Sequence, residues 1–124
     1  MSLADERIVI LVAEDEALIR KVVQTALTRA GYEVLAAVDG ADALEVSRGY
    51  AGTIHLLLTD VCMPNLRGPE LARTLAVERP GIRVLMMTGT SGAVMPESMP
   101  DLLQKPFRPG QLIERIGALL AENA

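Results

Sequence analysis

Five polar residues directly follow short apolar stretches of the chain, and their side chains could together handle a phosphoryl group. They are three carboxylates, a hydroxyl and an ammonium: Glu14, Asp15, Asp60, Thr88 and Lys105. Three carboxylates in one cleft repel each other at neutral pH, so they require a proton or a cation. Oxygen ligands suit Mg²⁺ better than zinc, for which this set lacks histidine and cysteine. An aspartate in such a site can act as a nucleophile and become an aspartyl phosphate.

The apolar stretches before these residues have the pattern of buried strands. The first is the branched run Ile-Val-Ile-Leu-Val-Ala at 8–13, which is too short for a core helix. Similar runs predict four further strands at 32–37, 54–59, 82–88 and 102–104. Helical periodicity predicts four helices at 17–30, 41–50, about 69–78 and 109–122. This alternation predicts an α/β fold, in which parallel strands carry helices on both faces of the sheet.

The predicted topology gathers the five polar residues at one place. In an open parallel sheet, ligands bind beyond the carboxyl ends of the strands, which is where all five residues fall. One connection is unusual: residues 89–100 contain two glycines and two prolines and show no helical periodicity. We therefore expect the crossover between the fourth and fifth strands to hold a short helix or none.

Composition excludes several classes of function. The chain has 124 residues, 50% of them hydrophobic, which fits one domain. A net charge of −4 argues against nucleic acid as a direct partner, and 2% aromatic residues argue against stacking on bases or sugars. With Cys62 as the single cysteine, no intrachain disulfide can form, and we expect a cytoplasmic protein. The sequence shows neither a membrane-spanning run nor a signal peptide, so no membrane association is expected.

Some of these residues also have simpler interpretations. Asp15 or Glu16, taken alone, could be the N-cap of the following helix. Cys62 could be a redox-sensitive thiol beside Asp60, or only a small apolar side chain. Four arginines around the third helix are expected to form a solvated face, namely Arg67, Arg73, Arg79 and Arg83.

Four motifs together carry a family resemblance. They are Glu-Asp-Glu at 14–16, Asp-Val-Cys-Met-Pro at 60–64 with Gly68, Thr-Gly at 88–89 and Lys-Pro-Phe at 105–107. With these motifs, the chain from Ile8 to about Leu120 resembles the receiver domain of two-component response regulators of the chemotaxis-regulator type. The resemblance implies a flavodoxin-like, doubly wound five-stranded parallel sheet of order 2-1-3-4-5. It also implies a receiver domain over 7–122 with an N-terminal extension at 1–6.

The resemblance assigns metal ligands and an acceptor. Asp60 would be the phosphorylated residue. Asp15, Asp60 and the main-chain carbonyl of Cys62 would be direct Mg²⁺ ligands, and Glu14 would act through a metal-bound water.

Two further roles and one departure follow from the same resemblance. Lys105 would bridge the acids and then the phosphoryl group, and Thr88 would hydrogen-bond a phosphoryl oxygen. The Lys105–Pro106 bond is expected to be cis. Members of this family usually have an aromatic switch residue three positions before the lysine, and here that position is Leu102.

The implied function is a Mg²⁺-dependent phosphoacceptor rather than an enzyme. A histidine kinase or histidine phosphotransfer protein would donate to Asp60, and the resulting conformational change would regulate a downstream effector or output domain. The alternative is an interaction module of the same fold that signals without phosphorylation. A phosphatase of the aspartyl-phosphate type would need a second acid where Cys62 stands, and a flavodoxin would need a phosphate loop and aromatic residues that the chain lacks.

Overall fold

The computed structural model describes residues 7–89 and 101–122, which form five strands and four helices. The strands are β1 (Val9–Ala13), β2 (Glu33–Ala37), β3 (Leu56–Asp60), β4 (Arg83–Thr88) and β5 (Leu102–Gln104). The helices are α1 (Ala17–Arg29), α2 (Gly40–Gly49), α3 (Gly68–Glu78) and α4 (Pro109–Ala121). Each element begins and ends within two residues of the bounds predicted from the sequence.

The five strands form one parallel sheet in the order β2-β1-β3-β4-β5. Leu11 of β1 pairs with Leu35 of β2 on one side and with Leu57 of β3 on the other. β2 is therefore added on one side of β1, and β3, β4 and β5 are added on the other side, so the strand order reverses between β1 and β3. This confirms the predicted doubly wound order, and ligand clefts in such sheets open at that reversal point.

Two apolar cores cover the two faces of the sheet, and β1 contributes to both. Val9, Leu11 and Ala13 pack into the core beneath α2 and α3. Ile10 and Val12 pack into the other core, beneath α1 and α4. Side chains alternate between the faces of a strand, so a strand covered on both sides needs apolar residues at every position. This explains the continuous apolar run from which the strand was predicted.

Polar contacts fix α2 at both of its ends. Asp39 is its N-cap, because the Asp39 side chain accepts a hydrogen bond from the Asp42 main-chain N–H at 2.7 Å. At the other end, the Arg79 guanidinium donates to the Ser47 hydroxyl and to the Ser47 and Tyr50 carbonyls, each at 2.7 Å. The expectation that Arg79 belongs to a solvated face is therefore wrong. It satisfies carbonyls at the helix end, which lack partners within the helix.

Two sequence predictions lie outside the described residues. The short or absent helix between β4 and β5 concerns residues 90–100, and the N-terminal extension concerns residues 1–6. Within 7–89 and 101–122, no helix is long and apolar enough to cross a membrane.

Candidate functional site

The five polar residues singled out from the sequence meet at the carboxyl edge of the sheet. Glu14 and Asp15 follow β1, Asp60 ends β3, Thr88 ends β4, and Lys105 follows β5. Asp15, Asp60, Thr88 and Lys105 line an open cleft of about 240 Å³. Glu14 lies beside it and is fully buried. The prediction that the strand ends converge on one site is confirmed for all five residues.

The centre of the site is an ammonium shared by two carboxylates. The Lys105 Nζ lies 2.7 Å from Glu14 Oε1 and 2.7 Å from Asp60 Oδ1. Only 5% of Asp60 is exposed, and Glu14 has no exposed surface. Removing carboxylates from water is costly unless a cation pairs with them, and Lys105 supplies that cation.

The pKa values of the three groups reflect this shared charge. Burial, reinforced by the neighbouring Glu14 carboxylate, raises the pKa of Asp60 to about 7, although Lys105 opposes the rise. Burial also acts to raise the pKa of Glu14, but hydrogen bonds with Asp60, Lys105 and the main chain outweigh it and lower that pKa. For Lys105, burial is outweighed by its two carboxylate partners, so its pKa is raised. The site therefore carries more negative charge than one ammonium balances.

Local structure holds the Glu14 carboxylate in place. Its Oε2 accepts a hydrogen bond from the Glu16 main-chain N–H at 3.0 Å, at the N-terminus of α1. The Glu14 carbonyl accepts from Arg20 Nη1 at 2.8 Å. Glu16 occupies the N-cap position, but its side chain makes no capping hydrogen bond. Glu16 is therefore the N-cap residue by position, as the simpler interpretation allowed, but the Glu14 side chain rather than its own accepts the main-chain N–H at this helix end.

Three carboxylates of the site could hold a cation. Glu14, Asp15 and Asp60 each offer an oxygen, and these oxygens lie within 4.8 Å of one another. Asp15 is exposed, so it can be reached from solvent. An all-oxygen donor set with net negative charge fits a hard divalent cation such as Mg²⁺. Cys62 also lines the cleft, and its exposed thiol lies 3.9 Å from Arg67 Nη2.

Thr88 and Lys105 reach the cleft from the last two strands. The Thr88 hydroxyl lies 3.4 Å from the Gly89 carbonyl, its only hydrogen-bond partner among the described residues. The Lys105–Pro106 peptide bond is cis, as the resemblance predicted. Leu102 pairs with Met86 in β4 and packs, half-buried, against the core beneath α2 and α3.

Several groups that build the site carry no recognisable signal in the sequence. The Thr59 hydroxyl donates to the Asp60 carbonyl at 3.0 Å, and Arg20 holds the Glu14 carbonyl as described above. The Asn65 side chain donates to Asp39 at 2.7 Å, which links the loop after Asp60 to α2. No sequence pattern pointed to these contacts, because the first two depend on side-chain orientation and the Asn65 contact joins residues 26 positions apart. The glycine in the motif after Asp60 was the one available signal for the shape of this loop.

Comparison with known proteins decides the family. Residues 10–117 match the family model of the response regulator receiver domain. The chain belongs to this family. A receiver domain is a signalling domain of two-component systems, and this one has the acidic cluster at the expected strand ends.

Similar proteins include both single-domain and longer members. The receiver domain is 36% identical over 116 residues to the response regulator receiver protein CpdR of Brucella abortus, covering 90% of this chain and 95% of CpdR. It is 31% identical over 119 residues to the sensor kinase CckA of the same organism, covering 92% of this chain but only 13% of CckA. Among solved structures, the receiver domain of the hybrid histidine kinase CckA superposes with a TM-score of 0.78 at 35% identity. That match covers 90% of this chain and 98% of the solved one.

Proposed function

We propose that this receiver domain accepts a phosphoryl group onto Asp60 from a phosphohistidine of a histidine kinase or histidine phosphotransfer protein. The observation that carries the proposal is the Lys105 ammonium held 2.7 Å from both Asp60 and Glu14 beside an open cleft. Such an arrangement neutralises charge on an incoming phosphoryl group while keeping the acceptor carboxylate reachable. The name of the CckA relative supports a kinase as partner, since it is a sensor kinase.

The transfer uses Asp60 as the nucleophile. One carboxylate oxygen forms the new O–P bond, the P–N bond of the phosphohistidine breaks, and its electron pair stays on the departing imidazole. Asp60 must be ionised to attack the phosphorus. Because its pKa is raised to about 7, a nearby cation is needed to favour the ionised form near neutral pH. Lys105 supplies part of that charge and then contacts the phosphoryl oxygens. Thr88 donates its hydroxyl to another phosphoryl oxygen.

The donor set fits Mg²⁺ as the second source of charge. Asp15, Asp60 and the main-chain carbonyl of Cys62 would bind it directly, and Glu14 would bind it through a water. When bound, Mg²⁺ would neutralise charge on Asp60 and on the phosphoryl oxygens. The three carboxylate oxygens within 4.8 Å of one another support this assignment.

Phosphorylation would change how the domain contacts a downstream effector or output domain, and attack by water would return it to the first state. Because CpdR is matched over 95% of its length and CckA over 13%, such domains occur alone and within longer proteins. The domain bounds 7–122 and a cytoplasmic location remain predictions.

Intact mass spectrometry after incubation with acetyl phosphate and Mg²⁺ tests the proposal. We expect a mass increase of one phosphoryl group that is lost in Asp60→Asn and in the presence of EDTA. The Glu114→Gln variant is the matched control, because it also replaces a carboxylate by an amide but lies exposed on α4, outside the cleft. No adduct with acetyl phosphate or with phosphohistidine donors would refute the proposal and favour an interaction module that signals without phosphorylation.

A further inference from the structure

The loop between β3 and α3, residues 61–67, is fixed at its ends. The Gly68 N–H donates to the Val61 carbonyl at 3.0 Å, which closes the loop on itself. A Cβ atom at Gly68 would lie 2.1 Å from the Asp60 carbonyl oxygen, so only glycine allows this close approach. The closure brings the two ends of the loop together, but it does not determine how the middle of the loop is oriented.

The middle of the loop contains a left-handed residue. Asn65 has φ of 70°, and the Leu66 N–H donates to the Pro64 carbonyl at 2.8 Å across it. A three-residue turn of this kind is rare and strained. Asparagine tolerates positive φ better than most residues, but the conformation still costs free energy that other contacts must offset.

The Asn65 side chain supplies such a contact. Its Nδ2 donates to Asp39 Oδ2 at 2.7 Å, while Asp39 Oδ1 caps α2 by accepting from the Asp42 N–H at 2.7 Å. Leu66 packs against the same helix end, since a Cβ atom at Gly40 would lie 2.2 Å from the Leu66 carbonyl oxygen. The strained turn is therefore tied to the start of α2. We call the hydrogen bond between Asn65 and Asp39 the loop latch.

We propose that the loop latch positions the main-chain carbonyl of Cys62 for the divalent cation, which makes Asn65 and Asp39 positioning residues for the phosphoacceptor site. The inference rests on the proposed function. Cys62 lies between the closed end of the loop at Val61 and the latched turn at Asn65, so its peptide orientation depends on both. A ligand that is oriented before the cation arrives binds it more tightly, because no ordering cost remains.

Exchanging the two latch residues tests this role. In Asn65→Asp two carboxylates face each other and the latch is lost. In Asp39→Asn the new side chain still caps α2, and the Asn65 amide can turn its oxygen toward the introduced amide group, so the latch is kept. The double variant Asp39→Asn/Asn65→Asp restores an amide–carboxylate pair with the donor and acceptor exchanged.

Mg²⁺ binding, followed by titration calorimetry on the whole chain, is the first measurement. We expect Asn65→Asp to weaken Mg²⁺ binding by about threefold to tenfold, which is roughly 0.7 to 1.4 kcal/mol. Asp39→Asn and the double variant should bind within about twofold of the wild type. If net charge alone determined affinity, Asn65→Asp would bind Mg²⁺ more tightly than the wild type, because the added carboxylate near the site would attract the cation. Asn65→Gly, which removes the side chain but suits positive φ, should weaken Mg²⁺ binding without lowering the denaturation midpoint.

The second measurement needs no metal. In EDTA, the Asn65 side-chain amide protons should exchange more slowly with water in the wild type than in Asp39→Ser. Equal Mg²⁺ affinity of Asn65→Asp, Asn65→Gly and the wild type would overturn the latch proposal while leaving the proposed function intact. Mg²⁺ binding that is absent from the wild type, or unchanged in Asp60→Asn, would instead overturn the proposed function and the latch role with it.

Discussion

Replacing Asp60 by asparagine should stabilise the protein in EDTA at pH 8. The ionised carboxylate is unfavourable in the folded protein, because it is buried beside the Glu14 carboxylate and shares one ammonium with it. This raises the pKa of Asp60 from its usual value near 3.8 to about 7. Asparagine has nearly the same shape as protonated aspartate and never ionises. The variant therefore avoids the cost that the wild type bears at high pH.

The magnitude follows from proton linkage. Below about pH 4, Asp60 is protonated in both the folded and the unfolded protein, so it adds no penalty. As the pH rises from about 4 to about 7, the unfolded chain releases its proton and the folded protein does not, so folding stability falls. About three pKa units at 1.36 kcal/mol each give a ceiling of about 4 kcal/mol. Because the cleft is open to solvent, screening reduces this, and we expect a difference of about 2 kcal/mol at pH 8.

Urea unfolding of both proteins at pH 4 and pH 8 measures this difference. In EDTA, the stability advantage of Asp60→Asn should be near zero at pH 4 and about 2 kcal/mol at pH 8. Saturating Mg²⁺ should stabilise the wild type alone and reduce the advantage at pH 8. An advantage that is equal at both pH values, or a variant less stable than the wild type at pH 8, would refute the account of the site as a cluster with excess negative charge.

Three further substitutions test other parts of the structure by urea unfolding. Lys105→Met leaves two buried carboxylates without their shared ammonium. It should lower the free energy of unfolding by at least about 1 kcal/mol at pH 8 and by less at pH 4. An equal loss at both pH values would contradict this expectation. Arg79→Ala should cost about 2 kcal/mol because the Ser47 hydroxyl and the Ser47 and Tyr50 carbonyls lose the guanidinium as a donor, whereas Arg73→Ala, on the exposed side of α3, should cost under about 0.5 kcal/mol. Gly68→Ala should cost about 1 to 3 kcal/mol because its Cβ collides with the Asp60 carbonyl, while Gly110→Ala, with open space around it, should be neutral or stabilising.

Much of the fold could be predicted because the spacing of apolar residues along the chain indicates which positions are buried. The run before Glu14 is apolar at every position since β1 is covered on both faces, and the strand bounds followed from that alone. Parallel topology alone then predicts that the five polar side chains meet at one edge of the sheet. Lys105 and Glu14 are 91 positions apart in the chain, yet their meeting followed from the order of the strands.

The contacts that could not be predicted are polar and depend on loop geometry. Arg79 was expected in a solvated face, because no local pattern shows that the carbonyls of Ser47 and Tyr50 lie within its reach. The bond between Asn65 and Asp39 spans 26 positions, and it is made by a residue with positive φ in the turn after Asp60. Burial produces a periodic pattern of apolar residues that can be recognised in a sequence. A single side-chain hydrogen bond produces no such pattern.

Lys105 follows β5, which is an edge strand and the shortest strand of the sheet. This position links the charge of the site to local opening of the sheet. Within the described part of the chain, β5 has three residues and pairs with β4 alone, whereas Glu14 follows β1 and Asp60 ends β3, both interior strands. An outer strand with few ladder bonds opens more often than central strands, without global unfolding. Such an opening would withdraw the ammonium while the two carboxylates on the interior strands stay in place. Amide exchange at Leu103 and Lys105 would therefore report how often the acceptor site loses its own cation.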